Sequence, residues 1–131
     1  MDKKFSILVA DRNPNVREFL KRELMDEGYQ VLLANSCTEV LKRVYQYEPL
    51  DLVILDLDLP DSGDLAILEK LENRIPELPV IIHAFPSDFC ELPAVINAAG
   101  FVEKKANSIE LLKKLVYETL RRPNTTGSND T

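Results

Sequence analysis

The sequence predicts an α/β fold, a parallel sheet of five strands with helices on both faces. Three observations predict it. Short apolar runs alternate five times with amphipathic segments of helical period. The connections between them are short, which implies βα units joined by right-handed crossovers. Finally, one apolar run, Leu52-Val53-Ile54-Leu55, is unbroken and bounded by acids, Asp51 and Asp56. That is the pattern of a strand covered on both faces.

Phe5 to Ala10 reads as the first strand. Asn13 followed by Pro14 is a cap with proline at the first helical position. Val16, Phe19, Leu20 and Leu24 then share one helical face, and Gly28 ends the helix. Tyr29 to Leu33 is the second strand. Ser36 and Glu39 have the spacing of a capping box before a helix carrying Val40, Leu41 and Val44, which must stop before Pro49. Leu50 to Leu55 is the third strand and Leu65 to Leu71 the third helix, with Leu65, Leu68 and Leu71 inward. Val80 to Ala84 is the fourth strand. Ser87 to Ala99 should be helical, but Pro93 lies inside it, so a short or irregular helix is expected. Phe101-Val102 is a short fifth strand. Asn107 and Glu110 read as another capping box, and Leu111, Leu112, Leu115, Val116 and Leu120 make a strong last helix.

One domain, residues 1–122, accounts for these elements. Residues 123–131 have no apolar side chain to bury and read as a disordered tail or the start of a linker. With 45% hydrophobic and 29% charged residues the composition is that of a soluble globular chain. A net charge of −6 argues against direct binding of nucleic acid. No apolar run approaches a membrane span, and no leader segment precedes the first strand. Cys37 and Cys90 lack metal spacing and the single histidine is His83, which suits a reducing cytoplasm more than a disulfide.

In an open parallel sheet, chemistry sits at the carboxyl ends of the strands. Asp56 ends the third strand there. A carboxylate does not fill core, because burying its charge costs several kcal/mol unless it is paired. It is either a functional group or a strand-end cap. Asp11, His83-Ala84 and Lys104 end the first, fourth and fifth strands on the same edge. Two carboxylates and an ammonium converging in one crevice are more specific than any single motif.

These residues resemble the receiver domains of bacterial two-component response regulators, the CheY-like family. The likeness covers residues 5 to 121. It rests on Ile7 to Pro14, on Asp51 to Asp61, and on Gly100-Phe101-Val102-Glu103-Lys104 followed by Ala106 and Glu110-Leu111. The resemblance implies a flavodoxin-like sheet of order 2-1-3-4-5 and a role in phosphorelay signal transduction. Asp56 would accept a phosphoryl group from a sensor histidine kinase or phosphotransfer protein. Asp11, Asp56 and the backbone carbonyl of Asp58 would hold Mg²⁺, and Lys104 would pair with the phosphoryl oxygens. Phe101 would stand at the aromatic switch position. Enzymatic activity would be limited to self-phosphorylation and autodephosphorylation at Asp56. An output domain or partner protein, or a homodimer, would complete the signalling unit. The physics is coherent, since phosphoryl transfer needs cations to neutralise the equatorial oxygens.

Three departures accompany the likeness. Arg12 stands where the family carries a second acid, so Mg²⁺ binding is expected to be weak or absent. Strand four ends in His83-Ala84 where the family has Ser or Thr; either residue, by register, takes the switch position without its hydroxyl. The loop after Asp56 reads Gly63-Asp64, where the family places its glycine last. Arg12 and Ala84 therefore feed a second reading, a pseudo-receiver that binds partners without a phosphorylation cycle. The pair Asp56 and Asp58 also imitates a haloacid-dehalogenase motif, but after the wrong strand and in too small a chain. A dinucleotide or flavin binder is disfavoured, because the loop from Asp11 to Asn15 has no glycine for phosphate to approach.

Overall fold

The computed structural model describes residues 4–46, 49–61, 69–71, 78–89 and 98–122. Its strands are β1 (Ser6–Ala10), β2 (Gln30–Ala34), β3 (Leu52–Leu55), β4 (Val80–Ala84) and β5 (Gly100–Glu103). They form one sheet in the order β2-β1-β3-β4-β5, and every neighbouring pair is parallel. The predicted order therefore holds. The helices α1 (Pro14–Asp26) and α2 (Cys37–Val44), a single turn Pro86–Phe89 and a C-terminal helix Ser108–Arg121 complete the described elements.

Alternation along the strands divides the core in two. Leu8, Ala10, Val53, Leu55, Ile82 and Ala84 face α2, where Val40 and Val44 close over them. Ile7, Val9, Leu52, Ile54, Ile81 and Val102 face α1 and the C-terminal helix, whose Leu20, Leu24, Leu112 and Val116 complete the second cluster. β1, β3 and β4 are buried along their whole length. Both of their faces are used, which is why they read as continuous apolar runs. Edge strand β2 is only partly covered, as its mixed sequence predicts. Each wholly buried Leu, Ile or Val contributes roughly 1.5–3 kcal/mol.

The helix starts are set by side chains. Asn13 accepts hydrogen bonds from the amides of Asn15 and Val16, with Pro14 opening α1. Gly28 follows α1 at φ 99°, a conformation a Cβ would disfavour. Ser36 accepts from the Glu39 amide at 3.2 Å, but the Glu39 carboxylate accepts from the amide of Asn35, at 2.7 Å, so the predicted box closes one residue early. The second predicted box is corrected. Asn107 makes no side-chain cap bond, because its backbone at φ −107° and ψ 18° is not the extended N-cap form.

Of the predicted third helix only 69–71 fall among the described residues; they are helical, and Leu71 is buried. The fourth begins at Pro86, one residue before the expected start, and 90–97, including Pro93 and Cys90, lie outside the described residues. So do Gly63-Asp64 and 123–131. Cys37 is a buried free thiol, and burial, with the nearby Asp61 and Asp56 charges adding to it, pushes its pKa up to about 11.

Candidate functional site

The carboxyl ends of β1, β3 and β5 deliver three charges to one point. Asp56 follows β3, its amide bonded to the Ala10 carbonyl at 2.9 Å. Asp11 follows β1, and its amide donates to Ala34 at 3.2 Å. Lys104 follows β5, with its amide on the Ala84 carbonyl at 2.9 Å. The ladder therefore fixes all three backbones. The Lys104 ammonium lies 2.9 Å from Asp11 Oδ2 and 3.2 Å from Asp56 Oδ1, and the three side chains are 10%, 2% and 1% exposed. Lys105, by contrast, is half exposed, so the predicted register of the two lysines holds.

The remaining carboxylate oxygens are also engaged. Asp56 Oδ2 accepts from the Arg12 amide at 3.3 Å, and Asp56 Oδ1 from the Asp58 amide at 3.1 Å. Asp11 Oδ1 accepts from the Asn13 amide at 2.9 Å. Arg17 reaches back from α1 to the Asp11 carbonyl at 2.7 Å. Burial nonetheless holds the Asp11 carboxyl above the usual carboxylate range; the Asn13 amide and Lys104 oppose that rise, and Asp56 adds to it.

The guanidinium of Arg12 joins this acidic cluster at its rim. It pairs with the Asp58 carboxylate at 2.9 Å, both side chains more than half exposed. Its positive charge therefore sits beside the buried pair rather than between its members. Asp61, at φ 52°, takes the start of α2: it accepts from the amides of Cys37 and Thr38 and from the Thr38 hydroxyl. Together these bonds pull its carboxyl below the usual range, the Thr38 hydroxyl contributing most.

Ala84 and His83 point to opposite sides of the sheet. Ala84 is fully buried in the cluster beneath α2. His83 is buried on the other side, with Nε2 3.2 Å from the Ser108 hydroxyl and Nδ1 without a partner among the described residues. Burial, reinforced by the Lys104 charge and countered by Asp56, lowers the His83 pKa to about 4. Phe101 is 49% exposed on edge strand β5, which sets aside its reading as a core aromatic. Sequence reasoning missed three partners. Phe85 places its ring 5.3 Å from the Lys104 ammonium, Ser108 meets His83, and Asp61 caps α2. Only Asp61, an acid in a turn near Pro60, left a signal in the sequence.

A cation bridging Asp11 and Asp56 fits this geometry, because one ammonium already touches both. For Mg²⁺ the donors would be these two carboxylates and the Asp58 carbonyl. Sites of one or two carboxylates, finished by water and phosphate oxygens, are ordinary for this ion. The set is lean: the Asp58 carboxylate is committed to Arg12, and among the described residues no group of three His, Cys, Asp or Glu side chains is placed to hold a metal.

A doubly wound parallel sheet with paired acids and a lysine at its carboxyl edge defines a class of phosphoryl-handling signalling domains. The chain belongs to the response regulator receiver domain family, whose description matches residues 7–116. It is 32% identical to response regulator RR06 of Streptococcus pneumoniae over 118 residues, 89% of this chain and 54% of that protein. It is 36% identical to the DNA-binding transcriptional regulator NtrC of a Bradyrhizobium species, over 90% of this chain and 25% of that protein. Among solved structures it resembles the response regulator TrrA of Thermotoga maritima, determined with Mg²⁺ and BeF, at 31% identity and a TM-score of 0.76, covering 88% of this chain and 98% of that one. A CheY-like receiver domain from Methanospirillum hungatei matches at 25% identity and a TM-score of 0.79, over 95% and 100% of the two chains. The chain thus spans between a quarter and about half the length of these two curated relatives. It is a receiver domain of two-component phosphorelay signalling, a signalling module by family. No helix among the described residues is long and apolar enough to cross a membrane.

Proposed function

We propose that Asp56 is the phosphoacceptor and that Asp11, Lys104 and Mg²⁺ serve its phosphorylation. One observation carries this reading: the Lys104 ammonium contacts both buried carboxylates at once. In the transfer, an Asp56 carboxylate oxygen attacks phosphorus, an acyl–phosphate bond forms, and the bond to the donor histidine nitrogen or acyl oxygen breaks. Lys104 stands where it meets the incoming phosphoryl oxygens, and the amides of Arg12 and Asp58 hold the carboxylate in orientation. Mg²⁺, when bound, supplies the positive charge that phosphoryl oxygens require. The domain acts in the cytoplasm, takes its phosphoryl group from a histidine kinase or phosphotransfer protein, and passes its state to an output domain or partner. It does no further chemistry beyond self-phosphorylation and loss of the group.

Ala84 makes the coupling of that state unusual. It has no hydroxyl to follow the phosphoryl group, and a charge-assisted hydrogen bond of about 1.5–3 kcal/mol is missing from the difference between states. Phe101, already half exposed, starts in the outward arrangement. The test is incubation with an acyl phosphate and Mg²⁺, read by intact mass. Wild type gains one phosphoryl group and Asp56→Asn gains none. A wild type that stays unmodified, or an Asp56→Asn variant modified to the same extent, overturns the assignment.

A further inference from the structure

A cavity lies between α1 and the start of the C-terminal helix, beside the charged triad and sharing Lys104 with it. It measures about 330 Å³, within the range of about 300–1,000 Å³ typical of small-molecule sites. Its walls are apolar: Phe19 and Leu20 of α1, Phe85, and Ile109 of the C-terminal helix. Its polar lining is one-sided. Asn15, Lys104, Lys105, His83 and Ser108 contribute to it, and among the described residues no Asp or Glu does. The chain carries 22 acidic residues against 16 basic ones, so a sizeable lining free of acids is selective.

Three further features point to an anion. The C-terminal helix begins at this cavity, spans 14 residues and takes no cap bond from Asn107; the Ser108 amide donates to the Lys105 carbonyl at 3.0 Å, which leaves the next amides of the first turn for a ligand. His83 is 4% exposed, lines the same cavity, and its Nδ1 has no partner among the described residues. Lys105 is half exposed, and its pairing to Glu103 is long, at 3.9 Å. Asp11, Asp56 and Asp58 do not line the cavity, although Lys104 forms part of its wall.

We propose that this cavity binds a small amphipathic carboxylate, an aromatic or branched acid whose apolar body packs on Phe19, Leu20, Phe85 and Ile109. Its carboxylate meets Lys105 and the amides that follow Ser108 in the first turn of the C-terminal helix, and His83 lies at the polar end. Binding needs no phosphoryl group on Asp56, so the assignment stands or falls separately from that of the phosphoacceptor.

The test is a titration of the unphosphorylated chain with 3-phenylpropionate and with its neutral amide, followed by backbone amide shifts. The acid should move the amides of residues 105–109 and bind about tenfold more tightly than the amide, a difference of ~1.4 kcal/mol. Lys105→Glu should weaken the acid by a similar factor and leave the amide unchanged. Phe19→Ala, at a partly exposed position, should weaken both. Equal binding of acid and amide, or indifference to both substitutions, overturns the proposal. So does an acidic amphipathic peptide that shifts these amides when neither small probe does, which would make the cavity a protein-docking site.

Discussion

Lys104 holds two buried carboxylates together, and its removal should cost more than the loss of a surface pair. Taking one partner out of a buried ion cluster costs about 3–5 kcal/mol, because the remaining charge is uncompensated. Lys104→Met should destabilise the fold by roughly that amount at neutral pH. Without the ammonium, the folded state binds protons more readily than the unfolded chain, so the deficit should shrink as pH falls toward 5. Chemical denaturation at two pH values measures both effects. His83 works in the opposite sense. Its folded pKa of about 4 lies below the ordinary 6.5, so between those values the unfolded chain binds the proton and the folded chain does not. Stability should therefore fall as pH drops from 6.5 to 4, by on the order of 3 kcal/mol. His83→Leu should lose that part of the pH dependence, and identical profiles for the two proteins would refute it. At the rim, Arg12 and Asp58 are more than half exposed, so their pairing is worth about 1 kcal/mol or less. Arg12→Asp should leave stability nearly unchanged while adding an oxygen ligand. Mg²⁺ should then bind about tenfold more tightly at low ionic strength, measured by calorimetry.

The elements repeat this contrast between what is local and what is not. The runs Ile7-Leu8-Val9 and Leu52-Val53-Ile54-Leu55 were legible because burial on both faces leaves no polar positions to confuse the period. Asn13-Pro14 and Gly28 marked the ends of α1 because backbone geometry admits few residues there. Asn107 misled, since a capping side chain is useful only if φ and ψ present it to the next turn, and sequence does not report those angles. The Lys104 triad was readable from strand ends. The contact of Phe85 with Lys104 and of Ser108 with His83 depends on how loops fold over the edge, which no periodicity encodes. β5 adds a further requirement. A Cβ on Gly100 would come within 2.3 Å of Leu115 Cδ2, the flexible end of a side chain on the helix above. Gly100→Ala should cost about 1–3 kcal/mol as Leu115 is displaced. Adding Leu115→Ala should give a double variant less destabilised than the sum of the two single changes, as measured by urea melts. Strict additivity would show that the strand and helix do not meet there.

At the scale of the whole molecule, the sheet separates chemistry from anchorage. Asp56 and Lys104 lie at the carboxyl edge, while the last turn of the C-terminal helix returns to the amino edge. There the Arg121 guanidinium sits 4.0 Å from the ring of Tyr117, 5.4 Å from Phe5 and 5.7 Å from Tyr29, and donates to the Tyr29 hydroxyl at 3.0 Å. Lys113 adds a second tie, to Glu23 of α1 at 2.8 Å. Final helical turns ordinarily fray, and their amide hydrogens exchange with solvent at nearly the rate of an unfolded chain. Here the final turn is clasped by a cation among three rings. Its amides should exchange slowly, close to the rate of the middle of the helix, and Arg121→Ala should restore fast exchange to the last turn while leaving the strands protected. The far end of this domain would then behave as a stiff lever rather than a loose tether, with any tilt of the C-terminal helix passed undamped to its last residue.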